Sequence, residues 1–167
     1  MTIPFSTKGN IGEEYNRIMK SCPEDWVGFM DHDLFIANPH WYKIFTEAIS
    51  VLGDKAGYIG CMTNRVGSPL QRLEAQRNND IAYHKKFAEG VYKEHGNAVQ
   101  DVTDSQFSPS ALMFVTSKKA WYEVGGFRET GLIGVDTNYV GKLKAKCYKI
   151  YLLKGLYVYH WYRGVLQ

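Results

Sequence analysis

The sequence is poor in cysteine, has no long apolar run and carries little excess charge, and each of these absences excludes a class of protein. Its three cysteines, Cys22, Cys61 and Cys147, are odd in number and follow no metal-binding spacing. We therefore expect reduced thiols that act as small apolar residues. No apolar run reaches the length of a membrane span, and residues 1–10 contain no secretory signal. The expectation is a soluble, cytoplasmic protein without a transmembrane segment.

The charge balance argues against nucleic acid as the main partner. The chain has 20 Lys and Arg against 17 Asp and Glu, a formal net charge of +3, which is too small for a typical nucleic-acid-binding surface. Hydrophobic residues make up 45% of the 167 positions and charged residues 22%, which favours a packed core over disorder. The 12 tyrosines and 4 tryptophans mostly suit a core, although flat rings also line sugar and nucleotide sites.

Strand-like and helix-like patterns alternate along the chain, which predicts a single α/β domain over residues 1–167. The predicted strands are residues 2–6, 26–30, 56–62, 111–115, 149–153 and 156–160. The predicted helices begin near residues 10, 40, 81, 118 and 136. Residues 64–79 and 101–109 are interpreted as loops. His84 and His95 fit no ligand pattern and are expected to face solvent.

Two aspartates, Asp31 and Asp33, directly follow the apolar strand 26–30, with His32 between them. In open α/β sheets, ligands bind beyond the carboxyl ends of strands. Carboxylates held this close repel each other unless a cation or hydrogen-bond donors neutralise them. Mg²⁺ or Mn²⁺ prefers oxygen ligands and often bridges carboxylates to substrate phosphates. The pair therefore predicts a metal site that binds a diphosphate; the alternative is a turn in which an aspartate caps the next segment.

Other polar residues are candidates to complete such a site. His160 ends the last predicted strand and is either a metal ligand or a packed, hydrogen-bonded residue. Asp136 begins a predicted helix and is either an N-cap or a general base. Asn64, Arg65 and Gln71 lie in the polar stretch after strand 56–62 and are candidates for substrate contacts. Ordinary loop surface is the alternative, and it is favoured for Gln71.

The order of these features resembles glycosyltransferase family 2 and its relatives with the GT-A fold, a Rossmann-like mixed sheet flanked by helices. The resemblance spans nearly the whole chain. An acid-x-acid triplet followed by a Gly-Gly-Phe segment, a later acid and a terminal-strand histidine is more specific than the triplet alone. In chain order the segments are Asn10-Ile11-Gly12, Asn16, residues 26–33, residues 111–127 with Gly125-Gly126-Phe127, Gly134-Val135-Asp136 and residues 156–163.

The resemblance implies a metal-dependent transfer of a sugar, with inversion favoured. The donor would be a nucleotide-sugar such as a UDP- or GDP-sugar, and the acceptor a hydroxyl of a glycan, protein or lipid. Asp31-His32-Asp33 corresponds to the family's DxD motif, which binds Mn²⁺ or Mg²⁺ and the donor's diphosphate. His160 matches the histidine that completes the metal site, and Asp136 matches the base that deprotonates the acceptor.

Two further positions take roles from the resemblance, a third takes a role from its place in the chain, and two features depart from the family pattern. Gly125 and Gly126 match a loop near the donor sugar and acceptor. Arg163 lies close to His160, and from this position, not from the resemblance, we expect it to neutralise the diphosphate. Val135 stands where the family has the first acid of its Glu-Asp pair. Only the predicted strand 2–6 precedes the Asn10 element, so we expect the segment that grips the nucleotide base to be abbreviated or missing. The chain as a whole resembles small viral or bacterial enzymes of this family.

Two other functions are compatible with the same residues. A phosphoesterase or nucleotidyltransferase would use Asp31, Asp33, Asp136 and His160 on phosphate and leave a sugar unmoved. A non-catalytic nucleotide-sugar-binding module would bind metal and ligand without turnover. The sequence favours the transferase because it contains both metal-type acids and a base-type acid.

Overall fold

The computed structural model of the chain describes residues 1–73 and 78–161, which form five α-helices and six strands. The helices are α1 (Ile11–Ser21), α2 (Trp41–Leu52), α3 (Ile81–His95), α4 (Lys118–Glu123) and α5 (Val135–Ala145). The strands are β1 (Trp26–Met30), β2 (Leu34–Ile36), β3 (Ala56–Thr63), β4 (Val99–Asp101), β5 (Met113–Ser117) and β6 (Lys149–His160). A 3₁₀ turn (Gly53–Lys55) follows α2. The predicted mixed α/β architecture is confirmed.

Short polar side chains fix the start of three helices. The side chains of Asn10, Asp80 and Ser117 accept hydrogen bonds from first-turn amides of α1, α3 and α4, which have no partner within the helix. α5 has no such cap and begins after Gly134, whose φ is +75°. Asp136, for which an N-cap role was the alternative, therefore lies inside the first turn of α5.

The six described strands form one mixed sheet in the order β1-β5-β3-β6-β2, with β4 also paired to β6. β1 and β3 both run antiparallel to β5, and β3 runs parallel to β6. β1, β3 and β6 therefore point the same way, and their carboxyl ends at Met30, Thr63 and His160 lie along one edge. The topology alone brings residues 31–33 and 64–65, which follow β1 and β3, to that edge.

The last two predicted strands are a single strand. The register of β6 against β3 slips after Leu153, which leaves residues 154–156 as extra residues in the pairing. On its other side β6 pairs with β4 before this bulge and with β2 after it. A Cβ on Gly155 would lie 1.9 Å from Gly96 O. The prediction was wrong because this glycine permits a close backbone approach instead of marking a turn.

Helices cover both faces of the sheet. Met62 of β3 joins the apolar cluster of α1, α4 and α5, whereas its neighbour Cys61 joins the cluster of α2. Successive strand side chains point to opposite faces, so these helices lie on opposite sides. α3 packs against Tyr157 and Tyr159 near the end of β6. Both tyrosines are fully buried, as expected for most of the aromatic residues.

Several other details differ from the sequence predictions. The patterns do not predict β2 or β4, and β5 begins two residues later than expected. The predicted strand 2–6 is reduced to a single parallel bridge between Thr2 and Phe29. All three cysteines are free thiols, but Cys61 alone is buried and Cys147 is exposed. In the described part of the chain, no helix has the length and apolar character needed to cross a membrane.

Candidate functional site

The three predicted metal ligands meet at the carboxyl edge of the sheet. The acidic triplet crosses this edge from β1 to β2, whose first residue, Leu34, pairs with His160. This pairing sets Asp33 beside the end of β6. Asp31 N donates to Leu112 O at 2.8 Å, which holds Asp31 near the start of β5. One potential ligand atom from each of Asp31, Asp33 and His160 lies within 4.8 Å of the other two.

The imidazole of His160 is oriented by the main chain. Its Nδ1 lies 2.7 Å from Arg65 O, and because a carbonyl oxygen only accepts, we assign the proton to Nδ1. In the neutral ring, the lone pair then belongs to Nε2, which lies 3.4 Å from Asp33 Oδ1. Either a proton on Nε2, which would form an ion pair with Asp33, or a metal ion between the two groups would suit this arrangement. Metal-binding histidines usually show this arrangement, with the second nitrogen donating to a carbonyl or carboxylate.

The electrostatics of the cluster also favour a cation. Burial raises the pKa of Asp31 from 3.8 to about 6, and the neighbouring His160 opposes this rise while Asp33 adds to it. The side chains of Asp33 and His160 are only 25% and 11% exposed. Two partly buried carboxylates therefore repel each other across a small space, and a bound divalent ion would relieve this repulsion.

The chemistry of the donor set fits a divalent metal. Carboxylate oxygens suit Mg²⁺ and Mn²⁺, and the imidazole nitrogen makes the set better suited to a transition ion such as Mn²⁺. The three ligand atoms lie within 4.8 Å of one another, whereas ligands held about 2.1 Å from an octahedral ion lie roughly 3.0 Å apart when adjacent and roughly 4.2 Å apart when opposite. A small side-chain rotation would therefore close the set, and three protein ligands leave positions for substrate oxygens.

A cleft of about 480 Å³, here named the first cleft, opens beside this cluster. Asp31 and His160 line it together with Asp136. Asp136 Oδ2 accepts from Ala111 N at 3.2 Å, and its Oδ1 accepts from Thr137 N at 2.8 Å. The structure thus brings a carboxylate that is fixed by backbone amides into the same cleft as two of the potential metal ligands.

An apolar loop forms part of the wall of the first cleft. Leu132 and Ile133 line the cleft and are 60% and 90% exposed. Gly131 and Gly134 flank them with φ values of +72° and +75°, a conformation that glycine adopts at no steric cost. Sequence reasoning used this segment only as the approach to Asp136. The signal that it missed was two apolar residues between two glycines.

Tyr15 also lines the first cleft, although sequence reasoning assigned it only to the apolar face of α1. Its ring packs edge-on against Phe29, and burial raises the pKa of its hydroxyl well above the usual range, with Asp31 and Asp136 adding to the rise. The phenol therefore stays protonated beside the carboxylates. Helical spacing predicts burial of such a residue but not that it also lines a cleft.

A second cleft of about 310 Å³ lies beside β2. His32, which is exposed, and Asp33 supply polar groups to its lining, and Phe35, Tyr159 and Trp161 supply aromatic rings. The potential metal ligands therefore stand between two clefts, because Asp33 lines the second and the other two line the first.

Asn64 and Arg65, predicted to contact substrate, instead hold His160 in place and line neither cleft. Asn64 is buried, its Oδ1 accepts from His160 N at 2.8 Å, and its Nδ2 donates to His160 O at 3.4 Å. The carbonyl of Arg65 accepts from the imidazole, while its guanidinium donates to Asn79 Oδ1 at 3.4 Å. The parallel pairing of β3 with β6 explains why residues that follow β3 reach His160.

Gly125 and Gly126 follow α4 and line neither cleft. A Cβ on Gly126 would lie 2.7 Å from Asn16 Oδ1. Asn16 is buried in α1 and clamps the turn, since its Oδ1 accepts from Phe127 N at 2.9 Å and its Nδ2 donates to Phe127 O at 2.9 Å. The close packing of this turn against Asn16 of α1 therefore explains the glycine at position 126. Arg163, the remaining predicted contact, lies outside the described residues.

Two residues interpreted as surface are fully buried. Gln71 Oε1 accepts from Ser110 N at 2.6 Å. His84 Nδ1 lies 2.8 Å from the Tyr157 hydroxyl, and its ring stacks on Tyr159 at 3.9 Å between centroids. Both predictions were wrong because each polar group finds a partner far away in sequence, which local spacing cannot reveal.

Comparison with known proteins supports the fold without identifying a family. No family model matches the sequence, and no curated protein matches it. Among solved structures, the chain resembles a mycobacterial protein with a TM-score of 0.56 and 14% sequence identity. The match covers 96% of this chain but 47% of the mycobacterial protein, so the chain spans less than half of that protein's length. At this identity the likeness shows a shared fold alone.

Proposed function

We propose that the chain is a metal-dependent glycosyltransferase with a GT-A-like, Rossmann-like arrangement of its mixed sheet. It would move a sugar from a nucleotide-sugar donor to a hydroxyl acceptor. The observation that carries the proposal is the meeting of Asp31, Asp33 and His160 at the carboxyl edge, with Asp136 in the same cleft as two of them. This chemistry needs a site for a diphosphate and a base for a hydroxyl, and these four side chains can supply both.

Asp31, Asp33 and His160 would hold Mn²⁺ or Mg²⁺. A cation bound there would act as a Lewis acid that offsets the charge of the leaving nucleoside diphosphate. Among the residues that the structure describes, no Lys or Arg lines either cleft. Among these residues, a cation at the cluster would therefore be the source of positive charge for a diphosphate in the clefts. The chain's own contribution is the orientation of Nε2, which the Arg65 carbonyl secures through Nδ1.

Asp136 would serve as the general base that takes the proton of the acceptor hydroxyl. The amides of Ala111 and Thr137 hold its carboxylate in place, so no side-chain reorganisation is needed when the hydroxyl arrives. In the described lining of the first cleft, the other carboxylate belongs to Asp31, a potential metal ligand. One base without a second carboxylate to act as nucleophile supports direct displacement, and hence an inverting transfer.

The donor would be a UDP- or GDP-sugar and the acceptor a hydroxyl of a glycan, protein or lipid. The first cleft, at about 480 Å³, falls within the range of roughly 300–1,000 Å³ that small-ligand sites occupy. The three free thiols support a reducing, cytoplasmic location for the reaction.

Calorimetric titration with UDP and with GDP, each with and without Mn²⁺, tests the metal site. We expect at least one nucleotide to bind the wild-type chain when Mn²⁺ is present and to bind at least about tenfold more weakly without it. Asp33→Ala should abolish this metal-dependent binding, since it removes one of the three ligands.

Asp104→Ala is the matched control, because Asp104 is an exposed aspartate that lines neither cleft. It should bind like the wild type. Unchanged metal-dependent affinity in a folded Asp33→Ala protein would contradict the site, and so would an equal loss in both variants.

A further inference from the structure

The second cleft combines an accessible aromatic ring with a rigid support. Trp161 is 49% exposed and lines the cleft, and its main-chain N donates to Asp33 O at 2.9 Å. Tyr159 packs edge-on against it, with 6.5 Å between ring centroids. The Tyr159 ring is in turn stacked on the buried His84, and its hydroxyl donates to Asn79 Oδ1 at 3.0 Å. Trp161 therefore packs against aromatic rings that are fixed in place, and it lies beside Asp33, a potential metal ligand.

The described lining of the second cleft contains no Lys or Arg side chain. Within the described part of the chain, its accessible polar side chains are His32 and Asp33, because Tyr159 is buried with its hydroxyl bonded to Asn79. Leu34 and Ile81 add apolar surface. Lys85 Nζ lies 5.9 Å from the centroid of the Phe35 ring, but Lys85 does not line the cleft. A ligand that fits this surface away from the metal cluster is neutral, has a flat apolar face and carries hydrogen-bonding groups at its rim.

We propose that the second cleft is a binding subsite for a neutral sugar ring, which lies against Trp161 and hydrogen-bonds to the polar groups at the Asp33 end. A pyranose has an apolar C–H face that packs on an aromatic ring and hydroxyls that point outward. The cleft volume of about 310 Å³ is near the lower limit of small-ligand sites, which suits one or two rings. The inference rests on the proposed function for the expectation that the substrates are sugars.

Saturation-transfer difference NMR on the metal-free chain tests this subsite with methyl glycosides of glucose, galactose, mannose and N-acetylglucosamine. We expect at least one glycoside to receive saturation at its C–H protons. Trp161→Ala should weaken this binding about tenfold or more, as truncation of a central aromatic contact commonly does. Trp161→Phe should retain most of it, because an aromatic ring remains.

Tyr122→Ala is the matched control, because Tyr122 is 80% exposed and lines neither cleft. It should leave the glycoside signals unchanged. The subsite is contradicted if none of the glycosides binds, if binding survives Trp161→Ala, or if Trp161→Phe loses binding as fully as the alanine variant.

Titration of the same variants with nucleotides separates this inference from the proposed function. Trp161→Ala should keep the Mn²⁺-dependent binding of UDP or GDP. Loss of that binding in a folded Trp161→Ala protein would place Trp161 in the nucleotide site and overturn the sugar assignment. If the wild type binds glycosides but neither nucleotide, the proposed transferase fails and the sugar subsite stands.

Discussion

At the scale of single residues, the candidate site depends on which atom each polar side chain contacts. His160 is informative because its Nδ1 is committed to Arg65 O, and its main-chain groups are held by Asn64. The ring therefore presents Nε2 to Asp33, at 3.4 Å. The Arg65 carbonyl orients the ring, while Asn64 fixes the main chain that carries it.

The raised pKa of Asp31 predicts how the stability of the metal-free chain depends on pH. The folded chain binds this proton more tightly than the unfolded chain, so stability falls as pH rises from 3.8 to about 6. Above this range, Asp31→Asn should stabilise the metal-free chain by on the order of 1–3 kcal/mol, because it removes the buried charge. Below about pH 4 the two proteins should be equally stable apart from a small constant difference.

Urea unfolding in the presence of a chelator measures both parts of this prediction. Above about pH 6, Mn²⁺ should make the wild type more stable than Asp31→Asn, because it binds and stabilises the wild type but not the variant. An Asp31→Asn protein that is no more stable than wild type without metal near neutral pH would contradict the assigned burial of charge.

Asp136 should matter for turnover and not for donor binding. Asp136→Asn keeps the shape of the side chain but removes the base, so kcat should fall by about 10²–10⁴-fold while donor affinity stays nearly constant. The amide can accept only one of the two backbone hydrogen bonds, so we also expect a loss of about 1 kcal/mol in unfolding free energy.

Steady-state sugar transfer and donor titration separate these effects, with Asp104→Asn as the control for charge. Full turnover by the Asp136→Asn protein would exclude the base assignment. Equal losses of donor affinity and turnover would instead place Asp136 in the donor site.

The sequence predicts the residues of the site better than their surroundings. Asp31, Asp33 and His160 are recognisable because each stands at the end of a strong strand pattern, and the topology then unites them. Gln71 and His84 are not recognisable, because nothing local distinguishes a polar residue on the surface from one whose partner is a distant amide or hydroxyl.

At the scale of helices and strands, the strength of the local hydrophobic pattern decides which elements can be predicted from the sequence. β3 is buried throughout and α2 has a continuous apolar stripe, so both are visible in the sequence. β2 and β4 have three residues each and form only because β6 offers them a free edge. No local pattern could indicate them, since their stability comes from pairing with a strand more than 45 residues away in sequence.

The bulge in β6 gives a prediction for element packing. Gly155→Ala would place its Cβ 1.9 Å from Gly96 O, so the backbones must separate, at a cost of about 1–3 kcal/mol in unfolding free energy. Gly90→Ala is the matched control, because Gly90 lies on an exposed part of α3 and a methyl group added there would have no neighbouring atom within 4 Å. It should stabilise the chain by about 0.5–1 kcal/mol.

Thermal and denaturant unfolding of the two variants checks this pair. If Gly155→Ala is as stable as the wild type, β6 does not make the close contact with Gly96 that allows both β4 and β2 to pair with it.

At the scale of the whole molecule, the shared direction of three strands in the sheet brings the residues of the candidate site together. Because β1, β3 and β6 share a direction, their carboxyl ends gather the potential metal ligands and the segment that orients His160. The amino end of β5 and the start of α5 add Asp136 through its bond to Ala111 N. Alternating strands and helices predict such an edge, but only the structure shows the two clefts that the potential ligands line.

The central claim is that this edge transfers sugars, and the most direct measurement is product release from a panel of UDP- and GDP-sugars with and without Mn²⁺. We predict release of the nucleoside diphosphate from at least one donor, dependent on the metal and strongly reduced by Asp136→Asn. Inorganic phosphate should not be released from phosphomonoesters. Release of phosphate with no turnover of any nucleotide-sugar would contradict the account and favour a phosphoesterase, and metal-dependent nucleotide binding without any turnover would reduce the site to a binding module.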